Sequence, residues 1–161
     1  MVSAVSTLDD LTRAARLAAT GTAADARAAV DALPWLAPAL GDDRSARRFE
    51  AWGRSTVIDE NTGSAVITHA LFDELHARGG IDASWPIGNA GLLHCYGYLL
   101  SLVETPYGLK RDRWLDGALA AQLGRAADAF PPWRDGPTPL ARVSEAASAL
   151  LADPDAGATA A

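Results

Sequence analysis

Apolar side chains recur at helical spacing in three separate parts of this chain, and this recurrence limits the possible folds more than any other feature. The three segments are Thr7–Leu33, which is interrupted at Gly21, then Leu92–Val103 and Leu140–Leu151. A spacing of three and four residues places such side chains on one face of a helix. Two prolines after residue 33 should end the helix of the first segment, because proline supplies no N–H and clashes with the preceding turn. The sequence therefore predicts a helix-dominated α+β fold.

The β part of this prediction is one small hairpin. Two β-branched runs, Thr56–Ile58 and Ala65–Ile67, flank a turn that contains Asn61 and Gly63, which is the pattern of a hairpin. A helix should follow from near Thr68 to the pair Gly79 and Gly80, where glycine permits a left-handed cap. The competing interpretation starts this helix inside the turn itself.

The size of the chain favours a single globular domain. Its 161 residues, of which 49% are hydrophobic, are enough for one buried core. We expect that domain to span residues 1–152. The remaining residues, 153–161, are mostly small, have little to bury, and are expected to form a disordered tail.

Charge, hydropathy and cysteine content limit which binding partners and which cellular location we expect for this protein. The 20 acidic residues exceed the 14 basic ones, so the net charge of −6 disfavours nucleic acid and anionic membranes as partners. No apolar run approaches the roughly 20 residues of a membrane span, and no secretory signal is visible. One cysteine excludes an internal disulfide. We therefore expect a cytoplasmic protein that binds a small molecule, with homo-oligomerisation left open.

Alanine is distributed very unevenly along the chain. None of the 35 alanines lies between Gly91 and Gly117, and we call this stretch the alanine-free block. The block contains all three tyrosines, the only cysteine and the only lysine. Alanine fills helix positions at no loss of side-chain entropy, so a segment that avoids it needs specific side chains at most positions. The block is either a tightly packed core segment or the functional surface.

One stripe of the block suggests acid–base catalysis. His94, Tyr98 and Ser101 are spaced to share one helix face opposite the leucines, and they supply a base, an acid and an orienting hydroxyl. We take His94 and Tyr98 as candidate catalytic residues and Ser101 as a candidate substrate-binding residue. Two alternatives remain open: the stripe is a second packed face, or residues 96–103 form a buried strand.

The cations that follow suggest a site for an anion. Lys110, Arg111 and Arg113 stand close together in an acidic chain, and arginine binds carboxylates with two parallel hydrogen bonds. Trp114 and Trp85 are candidates for the walls of the pocket. The alternative is a set of salt bridges in the first turn of a helix, which would contribute little to stability.

A second histidine stripe is a fallback site. His69, Asp73 and His76 share one face of the helix predicted after Thr68, and they could hold a divalent metal or transfer a proton. The alternative is a solvated helix face, so we predict no bound metal. The chain contains neither GxGxxG nor GxxxxGK[ST], and we therefore predict no cofactor.

The alanine-free block also carries a resemblance. The residues Gly91–Ser101, followed by Thr105–Trp114, resemble short bacterial proteins that carry the label amino acid deaminase. The similarity extends from Phe49 to Gly124, about half of the chain. It implies a compact bacterial metabolic protein, and it transfers no functional residues.

Two functions from different classes fit these observations. The first is a cofactor-independent enzyme that acts by general acid–base chemistry on a small anionic or zwitterionic metabolite, as a lyase, an isomerase or a hydrolase. The second is a non-catalytic helical accessory subunit or small-molecule sensor that uses exposed tryptophans. Five tryptophans in a chain of this size support the second hypothesis, because tryptophan is enriched at binding hot spots.

Overall fold

Two alanine-rich helices begin the part of the chain that the computed structural model describes, which is residues 8–112 and 138–152. They are α1 (Leu8–Ala18) and α2 (Ala23–Asp31), and Gly21 turns the chain between them with a φ of 84°. The side chain of Thr22 caps α2 by accepting the Asp25 N–H. The residues buried between the helices are mostly small: Leu11, Ala14, Ala15, Ala18, Ala26, Ala29 and Val30. Small side chains let the two helices pack closely, and both helices agree with the sequence prediction.

A third helix, α3 (Leu36–Ser45), was not predicted from the sequence. Pro38, one of the two prolines that the sequence analysis expects to end the preceding helix, lies inside α3. It occupies the first turn, where backbone N–H groups have no partner within the helix, so the missing N–H of proline costs nothing there. The burial of Leu36 and Leu40 then holds α3 against the core.

The helix predicted after Thr68 is confirmed as α4 (His69–Gly79). Thr68 accepts the Leu71 N–H as its N-cap, and Gly80 follows in the left-handed conformation with a φ of 67°. The buried face of α4 contacts α2 and α3. This face includes Phe72 and His76 as well as Leu71 and Leu75.

The alanine-free block begins with a helical run over residues 90–100, which we call the α5 segment. It consists of α5 (Ala90–Leu92), a π-helical turn (Leu93–Gly97) and a 3₁₀ turn (Tyr98–Leu100). Asn89 caps its start by accepting the Leu92 N–H at 3.0 Å. The helical prediction is therefore correct up to residue 100, and the alternative strand over 96–103 is wrong for its first five residues.

The described strands form two sheets of two antiparallel strands each. β1 (Arg54–Thr56) pairs with β2 (Ile87–Asn89), and β3 (Glu104–Thr105) pairs with β4 (Gly108–Leu109). The predicted hairpin is reduced to a single bridge between Ile58 and Ala65. The start of the first β-branched run pairs elsewhere: Thr56 is opposite Ile87 of β2, and the Val57 N–H donates to the Pro86 carbonyl at 3.0 Å. These partners lie about thirty residues later, a long-range contact that local periodicity does not indicate. The fold class, helix-dominated α+β, is confirmed.

A buried carboxylate joins the helical elements. Asp43 of α3 is fully buried and accepts hydrogen bonds from the Tyr96 hydroxyl, from the Thr138 hydroxyl at 2.6 Å and from Arg48 at 2.8 Å. Thr138 in turn accepts the Ala141 N–H and so caps the last described helix, α6 (Pro139–Ala152). Burial and the adjacent carboxylate raise the pKa of Tyr96, which keeps its hydroxyl a donor. We call these four side chains the Asp43 cluster.

The predicted tail, residues 153–161, lies outside the described residues, and the extent of the domain remains a prediction. Within residues 8–112 and 138–152, no helix combines the length and the apolar character that crossing a membrane requires.

The Asp43 cluster yields a prediction about stability. Asp43→Ala leaves buried donors without an acceptor, and we expect it to lower the free energy of unfolding by about 3–5 kcal/mol. Asp42→Ala is a matched control, because Asp42 contacts the same Arg48 nitrogen at 2.9 Å but is 61% exposed. Its loss should stay below about 1 kcal/mol. Urea denaturation measures both values, and equal losses would contradict the role of the cluster.

Candidate functional site

Three of the candidate site residues meet beside strand β1. The imidazole Nε2 of His94 lies 3.3 Å from the Ser55 hydroxyl, and the rings of His94 and Tyr98 are 4.8 Å apart between centroids. The ammonium group of Lys110 lies 5.0 Å from the centroid of the Tyr98 ring, within the range of a cation–π contact. An imidazole, a phenol, a hydroxyl and an ammonium group are therefore neighbours.

These residues border a polar groove of about 400 Å³, which we call the Tyr98 groove. This volume lies within the range of small-molecule sites. The turn after β1 forms one wall, and the β3–β4 hairpin forms another. The lining residues are Ser55, Thr56, Ile58, Asp59, Glu60, Asn61, Tyr98, Thr105, Tyr107, Gly108 and Lys110. His94 lies at the edge of the groove and contacts two of its lining residues, Ser55 and Tyr98.

Asp59 holds Lys110 in place in this groove. Its Oδ2 atom lies 3.3 Å from the Lys110 ammonium, while Oδ1 accepts the backbone N–H groups of Asn61 at 2.9 Å and Thr62 at 3.1 Å. Burial acts to raise the pKa of Asp59, but these hydrogen bonds and the charge of Lys110 outweigh it and lower the pKa below its ordinary value. The carboxylate therefore stays ionised at neutral pH and can fix the ammonium beside Tyr98.

The groove carries charges of both signs. Lys110 is its cation, and Asp59 and Glu60 are its anions. Asp59 is only 6% exposed and is engaged by Lys110, whereas Glu60 is exposed. A ligand with both a carboxylate and an ammonium group suits this lining better than a purely anionic one.

The irregular helix of the α5 segment determines where the catalytic candidates lie. His94 falls in the π-helical turn and Tyr98 in the 3₁₀ turn that follows. Such π-helical turns occur frequently at functional sites. Ser101 follows the end of the segment, is buried, and accepts the Val103 N–H at 3.3 Å. The structure thus brings His94 and Tyr98 together and places Ser101 in a structural role.

Arg111, one of the residues predicted to bind an anion, does not line the Tyr98 groove. Arg111 packs on α1, where its Nη1 donates to the Thr12 hydroxyl at 2.9 Å. Its guanidinium therefore supports the contact between the block and the first helix. Arg113, the third predicted cation, and Trp114, a predicted wall of the pocket, lie outside the described residues.

Trp85 does not line the Tyr98 groove either. Its ring stacks on His69 with 4.7 Å between centroids, and it borders a separate apolar groove of about 470 Å³ together with Leu71 and Leu100. It packs against α4 through His69 and Phe72.

The fallback metal site is divided between the surface and the core. His69 and Asp73 are both exposed and lie 3.4 Å apart, whereas His76 is 3% exposed, contrary to the expected common face. His76 accepts the Asn89 N–H at Nε2, at 3.1 Å, and its Nδ1 lies 2.8 Å from the Phe72 carbonyl. These contacts fix the tautomer protonated at Nδ1 and use both nitrogens. Among the described residues, no group of three or more His, Cys, Asp or Glu is arranged to hold a metal.

Sequence reasoning missed Ser55 and Asp59. Ser55 lies about forty residues before His94, and the pairing of β1 with β2 brings it there. For Asp59 the available signal was the turn after β1, in which an aspartate precedes Asn61 and Thr62 and can accept their backbone N–H groups. Tyr107 was also not selected, although it is 84% exposed at the rim of the groove.

Comparisons with known protein families, with curated proteins and with solved structures found no match to this chain.

His76 yields a prediction about pH. Burial lowers its pKa from the ordinary value near 6.5, although the Phe72 carbonyl and Asp73 act in the opposite direction. Below pH 6.5 the unfolded chain therefore binds a proton that the folded chain resists. The contribution of His76 to the free energy of unfolding is complete above pH 6.5 and is lost progressively as the pH falls below that value. His76→Gln should remove this contribution, which amounts to at most about 1.4 kcal/mol per pH unit.

Urea denaturation at several pH values between 5 and 8 measures this slope. His69→Gln is the matched control, because it removes an exposed histidine of the same helix and should not reproduce the loss of slope seen in His76→Gln. An unchanged slope in His76→Gln would contradict the assignment.

Proposed function

We propose that this protein is a cofactor-independent enzyme that acts by general acid–base chemistry on a small zwitterionic metabolite bound in the Tyr98 groove. The observation that carries the proposal is the contact between His94 and Tyr98, with the Lys110 ammonium 5.0 Å from the Tyr98 ring. Imidazole and phenol are both proton-transfer groups, and a positioned pair of this kind contributes about 10²- to 10⁴-fold in rate.

Each group has a distinct role in the proposal. His94 removes a proton from the substrate, and Tyr98 donates one to the group that leaves or rearranges. Lys110 binds the substrate carboxylate and stabilises negative charge that develops next to it. Because Asp59 restrains the ammonium, little further reorganisation is needed when the substrate binds.

The substrate class follows from the charges of the lining. A carboxylate would contact Lys110, and an ammonium group would contact the exposed Glu60. The exposed ring of Tyr107 offers an apolar contact for a side chain between these two ends. An amino acid or a close derivative is the simplest molecule with this arrangement. We further propose that the enzyme is cytoplasmic and metabolic, and we leave homo-oligomerisation and the choice among lyase, isomerase and hydrolase open.

The alternative, a non-catalytic helical accessory subunit or small-molecule sensor that uses exposed tryptophans, is not favoured by the three tryptophans that the structure describes. Trp35, Trp52 and Trp85 are each half-buried rather than exposed. The other two tryptophans lie outside the described residues.

A binding experiment tests the proposed substrate class. Each of the twenty standard amino acids is added to ¹⁵N-labelled protein, with acetate and methylamine as single-charge controls. We expect at least one amino acid to shift the amide signals of Ser55, Glu60 and Lys110 more than either control does. Lys110→Gln should weaken that binding by roughly 10- to 150-fold, the value of one charge-assisted contact. Arg13→Gln, which removes an exposed cation of α1, is the matched control.

Turnover of the compound that binds best tests the acid–base roles. His94→Ala should leave affinity unchanged and lower turnover by about 10²- to 10⁴-fold, because it removes the base and no binding charge. His69→Ala should keep full turnover, and thermal melting confirms that each variant is folded. Binding of no amino acid at these residues, or full turnover by His94→Ala, would contradict the proposed function.

A further inference from the structure

We propose that Ser55 is a nucleophile activated by His94, so that the Tyr98 groove catalyses the hydrolysis of an ester or amide of a small zwitterionic acyl donor. This inference rests on the proposed function and selects the hydrolase from its three reaction types. In this reaction His94 takes its proton from Ser55 rather than from the substrate and returns it to the leaving group, and Tyr98 donates a hydrogen bond to the carbonyl oxygen. Two observations carry it: the pairing of the Ser55 hydroxyl with Nε2 of His94, and the position of Ser55 in the lining of the groove.

The first step of the argument is the geometry of the pair. A serine hydroxyl is a weak nucleophile until a neighbouring base takes its proton. Nε2 of His94 lies 3.3 Å from the Ser55 oxygen. Productive distances are about 2.6–3.2 Å, and nucleophile–base pairs are often looser before the substrate binds. The pair is thus within reach of the active arrangement.

The second step is the rigidity of the nucleophile. Ser55 is the central residue of β1, and it is opposite Gly88 in the register with β2. The backbone on each side is held by the sheet, and the Ala90 N–H donates to the Gly53 carbonyl at 2.8 Å. This bond ties the start of β1 to the start of the α5 segment, which carries His94. A nucleophile and a base on tied elements keep their separation.

The third step is a comparison with other serines. Ser101 accepts a backbone N–H and is buried, and the Ser144 hydroxyl accepts the indole N–H of Trp52 at 3.4 Å. These contacts give the hydroxyls of Ser101 and Ser144 a structural role. The contact of Ser55 is with a proton acceptor that can be charged and neutral in turn.

The fourth step is stabilisation of the negative charge that develops on the carbonyl oxygen of the substrate. Attack on a carbonyl places negative charge on its oxygen, and donors that are already in position lower the barrier. Lys110 and Tyr98 line the same groove as Ser55 and supply an ammonium and a phenolic hydroxyl. The cation also suits a substrate whose carboxylate is close to the reacting group.

The reaction balances with water as the second reactant. The Ser55 oxygen bonds to the acyl carbon while its proton passes to Nε2 of His94. The tetrahedral intermediate then expels the alcohol or amine, which takes that proton. Water next attacks the acyl group and gives a proton to His94, and the acid leaves as Ser55 recovers its proton.

The experiment uses a fluorophosphonate probe with the full-length protein and mass spectrometry. The Ser55 oxygen would bond to phosphorus, fluoride would leave, and the proton would pass to His94. We expect one adduct, located on Ser55, no adduct in Ser55→Ala, and labelling at least about 100-fold slower in His94→Ala. Ser64→Ala and His69→Ala remove an exposed serine and an exposed histidine as matched controls, and both should label like the wild type.

Each other outcome contradicts the inference. Labelling at a different residue, no labelling, or equal rates in wild type and His94→Ala would each exclude Ser55 as an activated nucleophile. The failure of this inference is distinct from failure of the proposed function. If Ser55→Ala keeps amino-acid binding and His94-dependent turnover, the acid–base enzyme stands and the nucleophile is excluded. If binding is also absent, both are excluded.

Discussion

The Asp43 carboxylate is the interaction on which most of the described structure depends. It is fully buried, and it joins α3 to the α5 segment through Tyr96 and to the start of α6 through Thr138. A buried charge is tolerated only when hydrogen bonds satisfy it, so these elements must keep their relative positions. Tyr96 lies two residues from both His94 and Tyr98. The same helical segment is therefore anchored on its buried face and presents proton-transfer groups on the other.

The candidate site is assembled from three parts of the chain. The α5 segment supplies His94 and Tyr98, and β1 supplies Ser55. Lys110 follows directly after the β3–β4 hairpin. Asp59 links the second and third parts through its contact with the ammonium. Because each part is fixed by a different set of contacts, the chain alone forms the groove, and under the proposed function this would reduce the free energy lost on binding.

The sequence predicts those features that depend on local physics. The helix after Thr68 and its left-handed end at Gly80 follow from local backbone preferences. The alanine-free block contains His94, Tyr98 and Lys110, and the structure places these three side chains beside one another. The position of Ser55 depends on pairing between distant strands, which local periodicity does not contain. Arg111 was misplaced because spacing along the chain does not reveal which way a side chain turns. The burial of His76 depends on how wide a face α4 packs against its neighbours.

The central claim is that Ser55, His94 and Tyr98 form one unit, and long-range ¹H–¹⁵N spectra of the imidazole rings test it most directly. The chain has three histidines, so each ring gives a signal that can be assigned with His→Gln variants. Ser55→Ala and Tyr98→Leu should each shift the His94 signals and leave those of His69 and His76 in place. Spectra in which neither substitution moves His94 would contradict the account.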